Sequence, residues 1–168
     1  KDSLADYASA FPAEPVAPFA VNQICHQSNT RLLADLEICI KHQVPIIVTS
    51  LRPPAEVIDA VHGYGGLVFH DVINLRHARK AIKQGVDGVI AVCAGAGGHA
   101  GTLSPFAVIK EIRRDFDGAI ILSGAMTSGA DVLAAQAMGA DLAYIGTRFI
   151  ATDEANAIPE YKDMIVDS

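Results

Sequence analysis

The octapeptide Ala94-Gly95-Ala96-Gly97-Gly98-His99-Ala100-Gly101 sets one imidazole among small residues. Glycine has no Cβ, so several close together let main-chain N–H groups approach a flat or anionic ligand, at an entropic cost that an ordinary connector avoids. A histidine held there suits proton transfer or hydrogen bonding to a bound small molecule; the bland alternative is a solvated loop residue. Cys93 could pair with His99 as a nucleophile, or be a small buried hydrophobe at a strand end. Cys25 and His26 are adjacent, and His62 or His70 could join them, yet no zinc-ligand spacing is present and no metal site is expected. Two further small-residue turns, Ser123-Gly124-Ala125 and Gly146-Thr147, follow apolar runs. Backbone N–H groups at such turns and at helix starts can hold a phosphate without Lys or Arg. Arg148 beside them could touch the phosphate or pair with Asp153 or Glu154.

The elements that must position these turns alternate short apolar runs with longer helical patterns. Pro18 to Asn22 and Val44 to Ser50 read as strands, joined by Asn29 to Gln43, where Leu32, Leu33, Leu36, Cys39 and Ile40 recur at three- and four-residue steps. Pro53 and Pro54 suit the first turn of a helix through His62, and Gly66 to His70 supplies the next strand. Asn74 caps a helix through Gln84, followed by a strand from Gly88 to Val92. Ser104-Pro105 opens a helix to Phe116 with Phe106, Ile109 and Ile112 on one face; Lys110, Glu111, Arg113, Arg114 and Asp115 read as its solvated side. A strand from Ala119 to Leu122, a helix from Ser128 to Gly139 and a strand from Ala140 to Ile145 complete the series. Gly85-Val86-Asp87-Gly88 and Gly139-Ala140-Asp141-Leu142 are self-similar, so a βα module is reused.

Strands that alternate with helices and read as continuous apolar runs predict a parallel sheet, hence an α/β fold. The glycine turns follow late strands rather than the first, which favours the (β/α)8 TIM-barrel type over an open doubly wound sheet. Six strands do not close an eight-stranded barrel.

The chain has 168 residues, 51% of them hydrophobic, enough for the core of one domain. Its apolar runs stop well short of the roughly 20 residues a membrane span needs, and no secretory signal is visible at Lys1 to Asp6. Three cysteines without CxxC spacing predict reduced thiols in a cytoplasmic setting. A net charge of −6 argues against sequence-independent nucleic-acid binding and for a small-molecule partner.

Ala96-Gly97-Gly98-His99-Ala100-Gly101, then Ser123-Gly124-Ala125-Met126, then Ile145-Gly146-Thr147-Arg148-Phe149, in this order and spacing, resemble the nitronate monooxygenases, formerly called 2-nitropropane dioxygenases. Pro18-Phe19-Ala20-Val21-Asn22 is similar to that family's strand ending in a flavin-contacting Asn. The resemblance runs from about Pro18 to about Glu154. It implies an FMN-dependent flavoprotein barrel that oxidises alkyl nitronates with O2 to a carbonyl compound and nitrite. His99 matches the family's active-site histidine, acting as base toward a neutral nitroalkane or as a cationic or hydrogen-bonding partner of the nitro group. Asn22, Gly98, Gly124, Ala125, Ile145, Gly146 and Thr147 match positions around the FMN, the later ones around its phosphate.

The departures from that pattern carry consequences. Some family members have Lys where Asp71 stands, and often Gln or Asp where Val92 stands. Ala125 stands where Gly is usual, which is tolerable only if this residue avoids positive φ. The family begins with two strands carrying an Ala-Pro-Met-type and a glycine-rich segment, neither of which appears upstream of Lys1, and it continues past Ser168, so residues 1–168 read as a single partial barrel domain holding strands three to eight. An open fragment would expose sheet edges and favour a homo-oligomer. The alternatives are an FMN- and NADH-dependent enoyl-acyl-carrier-protein reductase of the same superfamily, and a truncated fragment without turnover.

Overall fold

The computed structural model describes residues 17–52, 55–97 and 101–167. Six strands form where the β-branched runs lie: β1 (Ala20–Cys25), β2 (Ile46–Leu51), β3 (Leu67–Val72), β4 (Gly88–Val92), β5 (Ala119–Ser123) and β6 (Leu142–Tyr144). The helices between and after them are α1 (Leu32–Lys41), α2 (Ala55–His62), α3 (Leu75–Lys83), α4 (Pro105–Asp115), α5 (Gly129–Met138), α6 (Thr147–Ile150) and α7 (Pro159–Asp167). The sheet order is β1-β2-β3-β4-β5-β6. A doubly wound sheet reverses its order at a switch point; this one never does, so its topology is that of a (β/α) barrel, with six strands represented. The chain divides into two compact units, Lys1–Phe69 and His70–Ser168, with the boundary inside β3.

In the first unit β1 and β2 pair in parallel, with Asn22 opposite Val48 and Cys25 opposite Leu51. Buried polar groups there are bonded: Gln23 Nε2 donates to Cys39 Sγ at 3.5 Å, and Thr49 Oγ1 donates to Phe69 O at 3.2 Å. Tyr64 OH donates to Val44 O at 2.8 Å, fixing the α2–β3 turn on the chain that enters β2. The expected end of β1 at Asn22 is corrected. Pairing with β2 carries the strand on to Cys25, which leaves Asn22 exposed in its interior.

In the second unit β4, β5 and β6 pair in parallel, and α4 lies against β4 and β5. Ile109 and Ile112 are fully buried with Val89, Ile90 and Ile120. Each such aliphatic side chain contributes about 1.5–3 kcal/mol when withdrawn from water. Phe106, expected on this face, is 65% exposed in the first turn, and Val108 takes its place. The caps follow the sequence: Asn74 Oδ1 accepts the His77 N–H at 2.9 Å, Pro105 follows the N-cap Ser104, and Ser128 with Asp131 forms a capping box. Both copies of the repeated junction carry a left-handed glycine, Gly85 at φ +94° and Gly139 at +101°. Pro53 and Pro54 lie outside the described residues. No described helix is long and apolar enough to cross a membrane.

Candidate functional site

Val92 pairs with Ser123 and Ser123 with Tyr144, so β4, β5 and β6 release their following turns side by side at their C-terminal ends. Strands about 4.8 Å apart bring three such turns within roughly 10 Å of one another. Together they line a cleft of about 510 Å³, formed by Gly95, Ala96 and Gly97 after β4, Gly124 and Ala125 after β5, and Ile145, Gly146 and Thr147 after β6. The structure thus joins Gly124, Ala125, Ile145, Gly146 and Thr147 of the sequence-derived set. Gly98 and His99 lie outside the described residues, and Asn22 belongs to the other unit and is not in this lining. The cleft also takes Thr127, Tyr144 and Ile150, which the sequence did not single out. Tyr144 was legible through its place one residue before Ile145-Gly146.

The first two turns are clamped together. Ala125 N–H donates to Gly95 O at 3.1 Å, and Cys93 N–H donates to Ser123 O at 2.9 Å. A Cβ on Gly95 would come within 2.7 Å of the Ala125 Cβ, and one on Gly124 within 2.9 Å of Ala94 O. Ala125 does not avoid positive φ: it sits at +49°, at a cost of about 1–2 kcal/mol that its bond to Gly95 helps to offset. The loop that carries His99 is pinned at its stem, where Ala94 N–H donates to Leu103 O at 3.0 Å and Gly101 N–H to Val92 O at 3.2 Å. A Cβ at Gly101 would run into Val92 O.

Gly97 and Gly146 differ from these. Neither has positive φ, and among the described residues a Cβ at either would meet nothing within 4 Å. No turn geometry and no described neighbour demands glycine there, yet both face the same cleft. Among the described residues the lining holds no charged side chain, and Arg148 is not part of it. On the approach to α5, Asp131 Oδ2 accepts the N–H groups of Thr127 and of the N-cap Ser128 at 2.9 Å each. Those bonds, the Thr127 one foremost, hold the Asp131 carboxyl below its ordinary value. Cys93 is 1% exposed and burial pushes its thiol up to about 11, so it stays protonated and the nucleophile reading gives way to the buried-hydrophobe one.

The family model described as nitronate monooxygenase matches residues 2–168. The chain belongs to the nitronate monooxygenase family. A nitronate monooxygenase of Neurospora crassa is 31% identical over 123 residues, which is 66% of this chain and 32% of that protein. Among solved structures, FabK from Thermotoga maritima superposes with a TM-score of 0.83 at 30% identity, covering 99% of this chain and 53% of that one. Nitroalkane oxidase from Streptomyces ansochromogenes gives 0.74 at 27% identity, covering 95% and 48%. The chain therefore spans about a third of the length of the Neurospora relative and about half that of the two solved structures.

The cofactor implied by this family can be tested against the cleft. A flavin mononucleotide ends in a dianionic phosphate that binds well to several converging N–H groups and poorly beside carboxylates. The described lining offers two open glycines, the Thr147 hydroxyl and the start of α6, and no carboxylate, so the residues fit the group.

Proposed function

We propose that this protein acts as an FMN-dependent oxidoreductase on alkyl nitronates, using O2 and yielding a carbonyl compound and nitrite. Family membership supports the reaction class, and the observation that carries the cofactor reading is the pair Gly97 and Gly146, open toward one cleft without a conformational need for glycine. Gly124, Gly146 and Thr147 would hold the phosphate, with Ala125 and Ile145 beside it and Gly98 toward the rest of the cofactor. The flavin, when bound, supplies the electron-accepting chemistry. The chain supplies position and protons. His99, on a loop whose stem is pinned at Val92 and Leu103, would accept the α-proton of a neutral nitroalkane at an imidazole nitrogen, or donate a hydrogen bond to the nitro group of a substrate that arrives as the anion.

Titration of the chain with FMN, followed by quenching of flavin fluorescence, tests the cofactor reading. We expect saturable binding that Gly146→Val weakens at least ten-fold without changing the melting temperature, since the added side chain meets no described protein atom. Absence of quenching in the unaltered chain would reject the reading. In holoprotein, His99→Ala should retain flavin and lose turnover of neutral nitroalkanes; unchanged rates with every nitro substrate would remove His99 from the mechanism.

The likeness to FabK favours a second reading, an enoyl reductase that takes electrons from NADH. Anaerobic mixing separates the two: nitronate bleaches the flavin of the first, and NADH rapidly bleaches that of the second.

A further inference from the structure

The paired strands β1 and β2 end at the same level and in the same way. His26 N–H donates to Ile24 O at 3.1 Å and Arg52 N–H donates to Ser50 O at 3.0 Å, so each strand closes in a three-residue turn, and Ile24 stands opposite Ser50 in the ladder. The second turn is the rare form. Its central residue, Leu51, has φ of +71° although it is a branched aliphatic residue that is 62% exposed. A side chain held there costs on the order of 1–3 kcal/mol, and such strain collects where the aim of a neighbouring group matters. The neighbouring groups are His26 and Arg52, and both line one pocket of about 260 Å³.

The pocket has an apolar floor and a polar rim. Cys25, Leu36 and Val57 form the floor, each no more than 5% exposed, and burial pushes the Cys25 thiol up to about 11, so the floor is uncharged. His26 Nδ1 accepts the Ser28 N–H at 3.2 Å and lies 2.7 Å from Ser28 Oγ, leaving Nε2 as the ring's remaining polar atom. Arg52 supplies a planar guanidinium that matches a carboxylate in two-point fashion. Glu56, in the first turn of α2, is the opposing charge in the lining, which disfavours a doubly charged phosphate relative to a singly charged carboxylate. At roughly 30 Å³ per water-sized group, the volume holds about eight or nine heavy atoms. Cys25, His26 and Arg52 come from the ends of β1 and β2, and Leu32, Leu33, Leu36, Glu56 and Val57 from α1 and α2.

We propose that this pocket is a binding site for a short-chain aliphatic carboxylate, its chain on the Cys25, Leu36 and Val57 floor and its carboxylate between Arg52 and His26. The site is lined from residues 25–36, 52, 56 and 57 and does not rest on the flavin reading.

Calorimetric titration of the chain with sodium hexanoate, hexan-1-ol and hexyl phosphate tests it. We expect saturable one-to-one binding of hexanoate, at least ten-fold weaker binding of the other two, a ten-fold or greater loss in Arg52→Ala, and tighter binding in Glu56→Gln. Arg52 is exposed, so its removal should leave the melting temperature unchanged, and Arg52→Lys should keep part of the affinity. Undetectable hexanoate binding, hexan-1-ol binding as well as hexanoate, preference for hexyl phosphate, or an Arg52→Ala affinity within two-fold of the original would each overturn the assignment.

Discussion

Asp71 lies in β3, and burial pushes its carboxyl up to about 6. The folded chain therefore holds this proton more tightly than the unfolded chain does, so stability falls as pH rises from the ordinary value of 3.8 to about 6 and stays lower above it. At roughly 1.4 kcal/mol per unit, discounted for partial exposure, the penalty at pH 7 is about 2 kcal/mol. Asp71→Asn should recover that amount at pH 7 and flatten the profile between pH 4 and 6 in urea melts; superimposable profiles for the two proteins would dismiss the effect. At this scale the sequence was partly legible. The glycine-rich loop and the later turns announce themselves because few folds spend so many small residues in one place. What cannot be read from residue types is which glycines the backbone geometry requires, since Gly95 and Gly97 differ only in φ and in what a Cβ would meet. Cys93 likewise needed its burial before the nucleophile reading could be set aside.

Arg113 near the end of α4 shows how elements are tied to one another. Its Nη1 donates to Gly118 O at 2.9 Å, and its Nη2 to Gly139 O at 3.2 Å and to Asp141 Oδ2 at 2.6 Å. Asp141 in turn accepts the Ile120 N–H at 2.8 Å, which with Arg113 holds its carboxyl below the usual range. The ion pair itself is half exposed and worth little; the carbonyl bonds, which only a forked donor can make together, carry the stabilisation. Arg113→Lys should cost about 1–2 kcal/mol, a fall of roughly 2–8 °C in the calorimetric melting temperature. A wild-type melt would mean the fork is dispensable. The reading of Arg113 as merely solvated is corrected by these bonds, whereas Asp115 is exposed as expected and pairs at the surface with Arg79 at 2.7 Å. Helix starts marked by Asn74, Ser104-Pro105 and Ser128 were legible because capping chemistry is local. The far end of β1 was not, because pairing with β2 decides it, and α6 is too short at four residues to show a period.

Across the whole molecule, β1 and β6 close the two ends of the strand order, and Ile24, Leu142 and Tyr144 on them are 49%, 54% and 49% exposed. Edge strands with apolar residues invite association with further strands. Sedimentation should show concentration-dependent self-association of the chain that Leu142→Lys reduces; a strictly monomeric chain at all concentrations would contradict this. The class of sheet was legible from the alternation of runs, and barrel rather than doubly wound topology from where the glycine turns fall, because ligand loops follow strand ends in both but concentrate differently. The division into two units was not legible, since nothing in the residues around Phe69 and His70 marks a boundary. The cleft after β4, β5 and β6 joins small residues of three turns with the side chains of Met126, Tyr144 and Ile150, and this bears on how the protein can change. Exchanging Met126, Tyr144 or Ile150 would reshape its wall, and lengthening or shortening any of the three connecting segments would reshape its mouth, so the two kinds of change reach different parts of the same space.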